Sequence, residues 1–538
     1  MNNKFYLGII ALVCLAIFFT HLDVVEVNIM EARNFITARE MLDYGHWFHT
    51  TMNLEPRYEK PPLPTWMTAL SGALFGMKNL IGLRLPAALT VVLLIFTFYF
   101  FCIQTLRDKK QAFWGTLIVS TSFYIIFSGR NGQWGIFTHA FMLVAIYKLF
   151  MAFESDKQSW KHWSLAGLFL GFSFMSKGPV SFYALLLPFL IAYGIVFKYK
   201  GFKIKTPPFL LSLVIFVIVG LTWAIYIYLT DTSAATYATN KEAVRWTNYE
   251  VKPFYHYWSF FVQSGVWTYF SFLALLYPFM IKRVEDKKLY RFSLIWTMSV
   301  VILLSLIPEK KERYLLPVLI PLAMNTSFYI KYLISASKEL KRVDIYLANF
   351  GFGLIGLIGL IFPFAIYLFF DGQFTGYWVA YFFSSATLFS IGVLLFIWIR
   401  KRSYERCFYG IILFICSIML FALPMAELTY DNENYLSLES FREMDGMENL
   451  KLYSTARSIP SPELIYDLGE PMKRVKTPEE LPQSESFALF VYDTVPQSVQ
   501  RHFKTEFKAQ FDINNMKEGK REHKKRKTMK LFVLEKKE

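Results

Sequence analysis

The sequence predicts a polytopic α-helical membrane protein with a small α/β domain at its C-terminal end. Its 538 residues are 54% hydrophobic and only 18% charged, whereas charged residues make up about 25% of soluble domains. Long apolar runs alternate with short basic loops up to residue 424, and the residues that follow are mostly polar. The net charge of +16 is largely carried by those loops, which argues against nucleic acid as a partner.

Thirteen apolar segments are predicted to span the membrane, because a bilayer core requires about 20 apolar residues in each helix. The two at 163–176 and 292–307 are the shortest. The predicted spans are residues 5–22, 83–104, 111–128, 135–153, 163–176, 180–198, 208–230, 262–281, 292–307, 314–333, 346–370, 379–399 and 407–424.

Segment 61–77 is predicted to be an interfacial or re-entrant helix rather than a further span. If it does not cross, the basic loops all lie on the cytoplasmic side, as the positive-inside rule requires. If it crosses, every later loop inverts. The N-terminus is therefore predicted inside and the C-terminus outside, with an outer loop at 23–82. The basic loops are residues 107–110, 157–161, 198–205, 282–288, 338–342 and 400–402.

The chain divides into a transmembrane domain at 1–424 and an extramembrane α/β domain at 425–538. Alternating apolar residues predict strands at 487–493 and 530–535, and the patterns at 461–468 and 496–507 predict helices. The basic run 517–527 is interpreted as a solvated loop, with contact to anionic lipid headgroups as the alternative. The four cysteines all lie in apolar segments, which predicts no disulfide framework.

Glu31 is the first candidate for chemistry in the outer loop. Glu31, Phe35, Ala38 and Leu42 share one helical face, so the carboxylate points where the apolar stripe points. It also lies near the predicted helix start, where the helix dipole favours a negative charge. The alternative is that Glu31 caps the helix and pairs with a basic residue. Arg33 lies off that face.

Arg57, Tyr58, Glu59 and Lys60 form a second polar group at the predicted membrane face. The prolines at 61–62 force Lys60 into an extended conformation and can start the next helix. A stiff connector therefore holds four polar side chains at the membrane surface. The alternative is a simple interface anchor.

Two further groups of cations are predicted on the outer side. Lys177 lies between two apolar segments, where snorkelling to the interface is the alternative. Lys310, Lys311 and Arg313 lie between two spans and suit a phosphate or diphosphate, which arginine can bind with two hydrogen bonds. Simple membrane flanking is the alternative, but positive flanks belong inside and this cluster is predicted outside.

The remaining motifs give weaker evidence of function. His139 and His256 are interpreted as hydrogen-bonded structural histidines, with a substrate contact as the alternative for His256. No zinc-type spacing of histidine or cysteine occurs, so no metal is predicted. The glycines at 351–356 match G-x-G-x-x-G but lie within a predicted span, so close helix packing is the better interpretation.

Four motifs together resemble those of a known family. They are E-A-R-N-F-x-x-A-R-E-M at 31–41, R-Y-E-K-P-P-L-P at 57–64, S-K-G-P at 176–179 and K-E-R-Y-L-L-P at 311–317. In this order they resemble the polyprenyl-phosphate-sugar glycosyltransferases. This family includes the aminoarabinose (lipid A) transferases and the protein O-mannosyltransferases, which have the GT-C membrane fold. The resemblance covers roughly residues 5–425.

The resemblance implies an enzyme that moves a sugar from a polyprenyl-phosphate donor to a lipid A, glycolipid, glycan or protein acceptor. It implies the outer face of a bacterial inner membrane. No cofactor is expected, with dependence on a divalent metal as the open alternative. A carboxylate orients or deprotonates the acceptor, and cations stabilise the departing phosphate. The implied catalytic residues are Glu31, Arg33 as its orienting partner, and Glu59. The implied substrate-binding residues are Arg57, Tyr58, Lys60, Lys177, His256, Lys310, Lys311 and Arg313.

The chain departs from the family at two acidic positions. Family members usually have Asp-Glu where this chain has Met30-Glu31, and often an aspartate where it has Gln133-Trp134-Gly135. Either Glu31 carries the acid role alone, or the chain is a catalytically inactive relative. A transporter or flippase of lipid-linked saccharides is the other alternative. Transporters place polar sites near mid-membrane, whereas these clusters collect at one face, which favours an enzyme.

Overall fold

A computed structural model describes residues 3–199, 202–483 and 485–537; Lys200 of the predicted basic loop lies outside them. Nineteen α-helices precede residue 418 in the described part of the chain. They are α1 (Asn3–Phe18), α2 (Ile29–Tyr44), α3 (Leu63–Phe75), α4 (Leu80–Leu106), α5 (Lys109–Ser120), α6 (Phe123–Gly129), α7 (Trp134–Glu154), α8 (Trp160–Lys177), α9 (Leu187–Val196), α10 (Phe202–Phe216), α11 (Thr222–Thr230), α12 (Thr232–Asn248), α13 (Thr268–Leu275), α14 (Tyr277–Met280), α15 (Lys287–Leu306), α16 (Leu319–Ser335), α17 (Arg342–Phe369), α18 (Trp378–Arg400) and α19 (Tyr404–Ser417).

Every predicted span contains helix, but the helices differ in their ability to cross a bilayer. Among the described residues, eight helical stretches are long and apolar enough, and α5 with α6 makes a ninth if this pair, bent by 65°, counts as one span. Helix α1 and the stretch Phe182–Val196 are shorter. The count of thirteen spans therefore stays a prediction.

The predicted span 262–281 is broken rather than continuous. A 3-10 turn at Phe260–Trp267 leads into α13 and then α14. Gly265 has a φ of +66°, and Pro278 stands in the first turn of α14. A left-handed glycine and a proline each interrupt the hydrogen bonds of a regular helix.

Segment 61–77 forms α3, as predicted for a helix that does not cross. Its 13 residues give a length of about 20 Å, shorter than the hydrocarbon core of a bilayer. Pro62 precedes its first residue and Gly76 follows its last. Helix α3 packs against both α2 and α4, so it holds the connector at 57–60 beside the helices of the outer loop.

Close contact between α17 and α18 accounts for Gly356, the last glycine of the motif, and for Gly359, which follows it. A Cβ atom at Gly359 would lie 2.6 Å from the carbonyl oxygen of Leu388, and one at Gly392 would lie 2.7 Å from that of Gly356. These distances are too short for a side chain. The packing interpretation is therefore confirmed for this part of the motif.

The C-terminal domain is a five-stranded mixed sheet with two short helices. The sheet order is β4-β3-β5-β7-β6, where β3 pairs in parallel with β4 and β5, and β7 pairs antiparallel with β5 and β6. The strands of the chain are β1 (Thr51–Met52) and β2 (Glu55–Pro56) in the outer loop, then β3 (Leu452–Thr455), β4 (Lys473–Val475), β5 (Phe487–Val491), β6 (Phe503–Asp512) and β7 (Thr528–Lys536); the helices are α20 (Pro462–Leu468) and α21 (Gln497–Gln500).

The predictions for this domain are confirmed at three of four elements. The helix predicted at 496–507 is wrong: α21 ends at Gln500, and β6 begins at Phe503. Phe503, Thr505 and Phe507 alternate along β6 and pair with β7, so strand pairing prevails over the local helical pattern. The basic run 517–527 forms most of the connection from β6 to β7.

The C-terminal domain docks on the outer loop. The ring of Phe35 in α2 lies 5.5 Å from that of Tyr466 in α20. Asn53 accepts a hydrogen bond from the Met472 amide at 2.7 Å and donates one to its carbonyl at 2.8 Å. Lys527 pairs with Glu26 at 2.8 Å. The domain therefore braces the segment that carries the candidate site.

We expect Gly392→Ala to destabilise the protein by about 1–3 kcal/mol, because the added methyl group meets backbone of α17 that cannot move aside. Thermal unfolding of the purified protein in detergent measures this. Gly353→Ala is the matched control, since its nearest atoms would lie 3.9 Å away. Equal melting temperatures for the two variants would contradict the close packing of α17 on α18.

Candidate functional site

Glu31 lies at the start of α2. Its carboxylate contacts the N-cap of this helix, helix α4 and the turn before α7. Asn28 caps α2 and forms a capping box with Glu31. Arg84 of α4 donates from Nε to Glu31 Oε1 at 2.8 Å and from Nη2 to Oε2 at 2.9 Å. The amide of Gly132 also donates to Oε1 at 2.8 Å. Glu31 and Arg84 are both buried.

These contacts match the structural alternative for Glu31, a helix cap paired with a basic residue. Both carboxylate oxygens already accept two or more hydrogen bonds. The predicted pairing with Arg33 is wrong, because residues two apart on a helix do not face each other, and Arg84 is the partner instead. A catalytic role for Glu31 stays untested.

Arg84 and Arg130 were not singled out from the sequence, and both support the segment after α1. Arg84 donates from Nη1 to the carbonyls of Leu22 at 2.5 Å and Val25 at 2.8 Å. Arg130 donates to the carbonyls of Thr20 and His21, both at 2.7 Å. A lone arginine at the start of an apolar span is costly unless paired, and that cost was the available signal for Arg84.

Side chains of the connector at 57–60 contact other parts of the chain. Arg57 is buried, and its guanidinium carbon lies 4.8 Å from the centre of the Trp134 ring. Burial lowers the pKa of Arg57 to about 10, so it remains a cation at neutral pH. Tyr58 donates to Asp231 at 2.9 Å, and Lys60 pairs with Glu242 of α12 at 3.1 Å.

Glu59 differs from Glu31 because one of its oxygens is free. Oε1 accepts a hydrogen bond from Lys241 at 2.8 Å, whereas Oε2 is buried and has no partner among the described residues. Burial alone would raise the pKa of Glu59, but the hydrogen bond from Lys241 and the charge of Arg57 lower it below its usual value. The connector thus carries an ionised carboxylate, Glu59, one oxygen of which has no hydrogen-bond partner among the described residues.

Arg33 lies in the same charged group without an ion pair. Its Nε atom is buried and has no partner among the described residues. Burial lowers the pKa of Arg33; the positive charges of Arg245 and Arg313 lower it further, and the negative charge of Glu59 raises it. Arg33 therefore shares its surroundings with Glu59 and Arg313 rather than with Glu31.

The predicted cluster at 309–313 is divided by the structure. Lys311 pairs with Glu309 at 2.8 Å, and Lys310 donates to the carbonyl of Ile307 at 2.7 Å. Two of its three cations are thus already bound by the protein.

Arg313 lies in different surroundings, and His256 does not accompany it. His256 contacts Glu312 at 3.1 Å, as a structural histidine would. Arg313 forms no ion pair within 4.0 Å in the described part of the chain, and its guanidinium lies 5.6 Å from the centre of the Tyr314 ring. Lys310, Lys311 and Arg313 thus have different partners in the structure, and their binding of a phosphate or diphosphate stays a prediction.

Arg313 instead joins Lys177 in a small cavity, here called the outer cavity. Lys177 lies 5.6 Å from the centre of the same Tyr314 ring, and no carboxylate is found among the described residues that line the space. Both family positions at which this chain lacks an aspartate also line it. The outer cavity is lined by Met30, Tyr124, Ser128, Gln133, Trp134, Gly135, Ile136, Lys177, Arg313 and Leu316.

The outer cavity thus has a net positive lining. Burial lowers the pKa of Lys177 to about 7; the positive charges of Lys60 and Arg313 contribute to this shift, and the negative charges of Glu242 and Glu309 oppose it. A phosphate bound beside Lys177 would favour its charged form. Such a group of cations, with hydroxyl groups from Tyr124 and Ser128 nearby, can bind a phosphate. No group of three or more histidine, cysteine, aspartate or glutamate side chains is placed to hold a metal ion among the residues described. The expectation of no cofactor, with a divalent metal as the open alternative, stays a prediction.

Comparison with known proteins identifies relatives. A profile of the family described as dolichyl-phosphate-mannose-protein mannosyltransferase matches residues 59–226. The chain is 25% identical over 342 residues to the undecaprenyl phosphate-alpha-4-amino-4-deoxy-L-arabinose arabinosyl transferase of Pseudomonas savastanoi pv. phaseolicola, covering 62% of each chain. It is 27% identical over 303 residues to that of Shewanella sediminis, covering 53% of this chain and 52% of the relative. The matches thus span less than two thirds of these relatives.

Solved structures identify the fold. ArnT from Cupriavidus metallidurans bound to undecaprenyl phosphate superposes with a TM-score of 0.68 at 13% identity, covering 98% of this chain and 97% of that one. The same protein in the apo state also gives 0.68, at 14% identity. The predicted GT-C-like fold and the resemblance to polyprenyl-phosphate-sugar glycosyltransferases are confirmed.

We expect Glu31→Gln to lower the free energy of unfolding by about 3–5 kcal/mol, because Arg84 would remain buried as an unpaired charge. Thermal denaturation of the detergent-solubilised protein measures the loss. The control is Glu55→Gln, which removes an exposed carboxylate from the same outer loop. A Glu31→Gln protein that melts with the wild type would show that the ion pair is not structural.

Proposed function

We propose that this protein is an integral-membrane glycosyltransferase that moves a sugar from a polyprenyl-phosphate donor to a lipid or glycan acceptor. The reaction takes place on the outer face of a bacterial inner membrane, with the N-terminus cytoplasmic and the C-terminal domain periplasmic. The observation that carries the proposal is the outer cavity, which Lys177 and Arg313 line together and which has no carboxylate among its described lining residues. The same fold holds undecaprenyl phosphate in ArnT from Cupriavidus metallidurans.

The donor phosphate binds in the outer cavity. Lys177 acts as a point charge and Arg313 as a planar donor that can bind two phosphate oxygens at once. Both cations approach the ring of Tyr314 from 5.6 Å, so that ring limits their movement. As the bond between the anomeric carbon and the phosphate oxygen breaks, these cations stabilise the charge that collects on the leaving phosphate.

Glu59 is the proposed acceptor-side carboxylate in place of Glu31. Its free Oε2 atom can take the proton of the acceptor hydroxyl as that oxygen attacks the anomeric carbon. Lys241 holds Oε1 at 2.8 Å, which fixes the orientation of the group. Lys241 and Arg57, the buried first residue of the connector, lower the pKa of Glu59 and keep it ionised and ready to accept a proton.

A binding protein without transferase activity is the second candidate. Met30 and Gly135 occupy the family's acidic positions and line the outer cavity, so the phosphate side of the site is retained while two carboxylates are absent. Such a protein binds the donor and leaves it intact. A flippase is distinguished by moving the intact donor between leaflets.

We expect Lys177→Ala and Arg313→Ala each to weaken binding of undecaprenyl phosphate about tenfold, the effect of one lost charge-assisted hydrogen bond. Binding to the purified full-length protein in nanodiscs measures it. Lys476→Ala removes an exposed cation of the C-terminal domain and serves as the control. Unchanged affinity in both cavity variants would exclude the phosphate site.

We expect Glu59→Gln to keep donor affinity and to lose at least about a hundredfold in transfer rate, since a general base contributes about that much or more. The assay follows release of undecaprenyl phosphate from its aminoarabinose conjugate, the donor sugar of the relatives, in the presence of lipid A. Wild-type protein that binds donor but never releases the sugar would favour the non-catalytic candidate. Full activity of Glu59→Gln would exclude this carboxylate as the base.

A further inference from the structure

A second cavity lies at the opposite end of the helix bundle. It has a volume of about 410 Å³ and is formed where α16 ends, α18 ends and α19 begins. We call it the inner basic pocket, because the positive-inside prediction places its loops on the cytoplasmic side. Its lining consists of Ile334, Ser337, Lys338, Lys401, Arg402, Ser403, Tyr404 and Glu405.

The inner basic pocket holds three cations without acidic partners. Lys338, Lys401 and Arg402 form no ion pair within 4.0 Å in the part of the chain that the structure describes. Glu405, the carboxylate that lines the pocket, is paired with Lys110 at 2.9 Å.

Other acids near this end of the bundle are also occupied. Asp344 binds Arg283 at 2.8 Å, and Asp108 and Glu285 both bind Lys331, at 2.9 and 3.0 Å. Glu339 follows Lys338 directly in the sequence and Glu405 lines the pocket, so the three cations are balanced in part and remain in excess.

Backbone groups add to the positive potential. Ser403 is the N-cap of α19, and its hydroxyl makes no capping hydrogen bond. The first amide groups of a helix lack intrahelical acceptors and carry the positive end of its dipole. Arg402 has a φ of +51°, a conformation that costs a non-glycine residue about 1 kcal/mol, and this turn brings the start of α19 to the pocket.

The helices beside the pocket present apolar side chains outward. Of the most apolar windows of α17 and α18, only 22% and 39% of residues are buried within the protein. Val393, Phe396 and Ile397, one to two turns before Arg400 on α18, are each 38–41% exposed. An acyl chain lying along these residues would bring its headgroup to the level of Lys401 and Arg402.

We propose that the inner basic pocket binds the phosphate of an anionic phospholipid headgroup. The cations and the start of α19 bind the phosphate, and the apolar face of α18 receives the acyl chains. Basic pockets between helix ends on the cytoplasmic side of membrane proteins have this chemistry. A free phosphate ion satisfies the polar half alone, so the test separates the two sources.

This site is distinct from the outer cavity and does not depend on the proposed transferase activity. The outer cavity includes Leu316, just before α16, and the inner basic pocket includes Ile334 near its end. The 17 residues of α16 separate the two by about 25 Å.

Native mass spectrometry of the purified full-length protein tests the proposal. The protein is incubated with equal amounts of phosphatidylglycerol and phosphatidylcholine, and retained lipid is counted. We expect wild type to retain phosphatidylglycerol preferentially, and Lys401→Gln with Arg402→Gln to bind it about tenfold more weakly. Lys157→Gln with Lys161→Gln removes two exposed cations from a loop predicted on the same side and should leave binding unchanged.

The outcomes are separable. Equal retention of the two lipids by wild type, or unchanged retention by the pocket variant, would overturn the proposal. Displacement of phosphatidylglycerol by an equal concentration of inorganic phosphate would assign the pocket to the free ion and overturn the lipid assignment. If the double variant does not fold, Lys338→Gln, at an exposed loop position, tests the same prediction with one charge removed.

Discussion

The outer side of this protein depends on the buried ion pair between Glu31 and Arg84. Glu31 fixes the start of α2 and receives the amide of Gly132, while Arg84 reaches the carbonyls that follow α1. One pair therefore sets the positions of α1, α2, α4 and the turn before α7. A buried pair of charges is tolerated only when its hydrogen bonds are satisfied, and here they are. The outer cavity inherits its shape from this arrangement, because Met30 precedes Glu31 and Gln133 follows Gly132.

The helical architecture could be predicted from the sequence, and so could the candidate cations of the outer side, because both leave local signals. Apolar runs, the prolines at 61–62 and the cations at Lys177 and Arg313 can be recognised within a few residues. The partners could not be read in the same way. Arg84 is 53 residues from Glu31, and the helix pattern at 496–507 gave no sign that β7 would pair with Phe503–Asp512. Tertiary pairing, not local preference, decides both.

The predicted site residues fall into two groups, those with partners within the protein and those without. Lys310, Lys311 and His256 have partners within the chain, whereas Lys177, Arg313 and one oxygen of Glu59 keep capacity for a ligand. Charge alone did not separate these two groups, because all of them lie in segments predicted to be on the outer side. The burial and the hydrogen-bond partners of each side chain separate the two groups. The substitutions at Met30 and Gly135 leave the phosphate side of the outer cavity intact and move attention to the connector at 57–60 for the acidic group.

Helix α12 is attached to the rest of the protein mainly by ion pairs. It buries a single residue, Ala238, and it is tied to the connector by Lys241 and Glu242, which pair with Glu59 and Lys60. With so little apolar contact, its attachment rests mainly on charges close to water, which dissolved salt screens within about 8–10 Å. The strength of the contact between α12 and Glu59 therefore depends on the ionic strength of the surrounding solution.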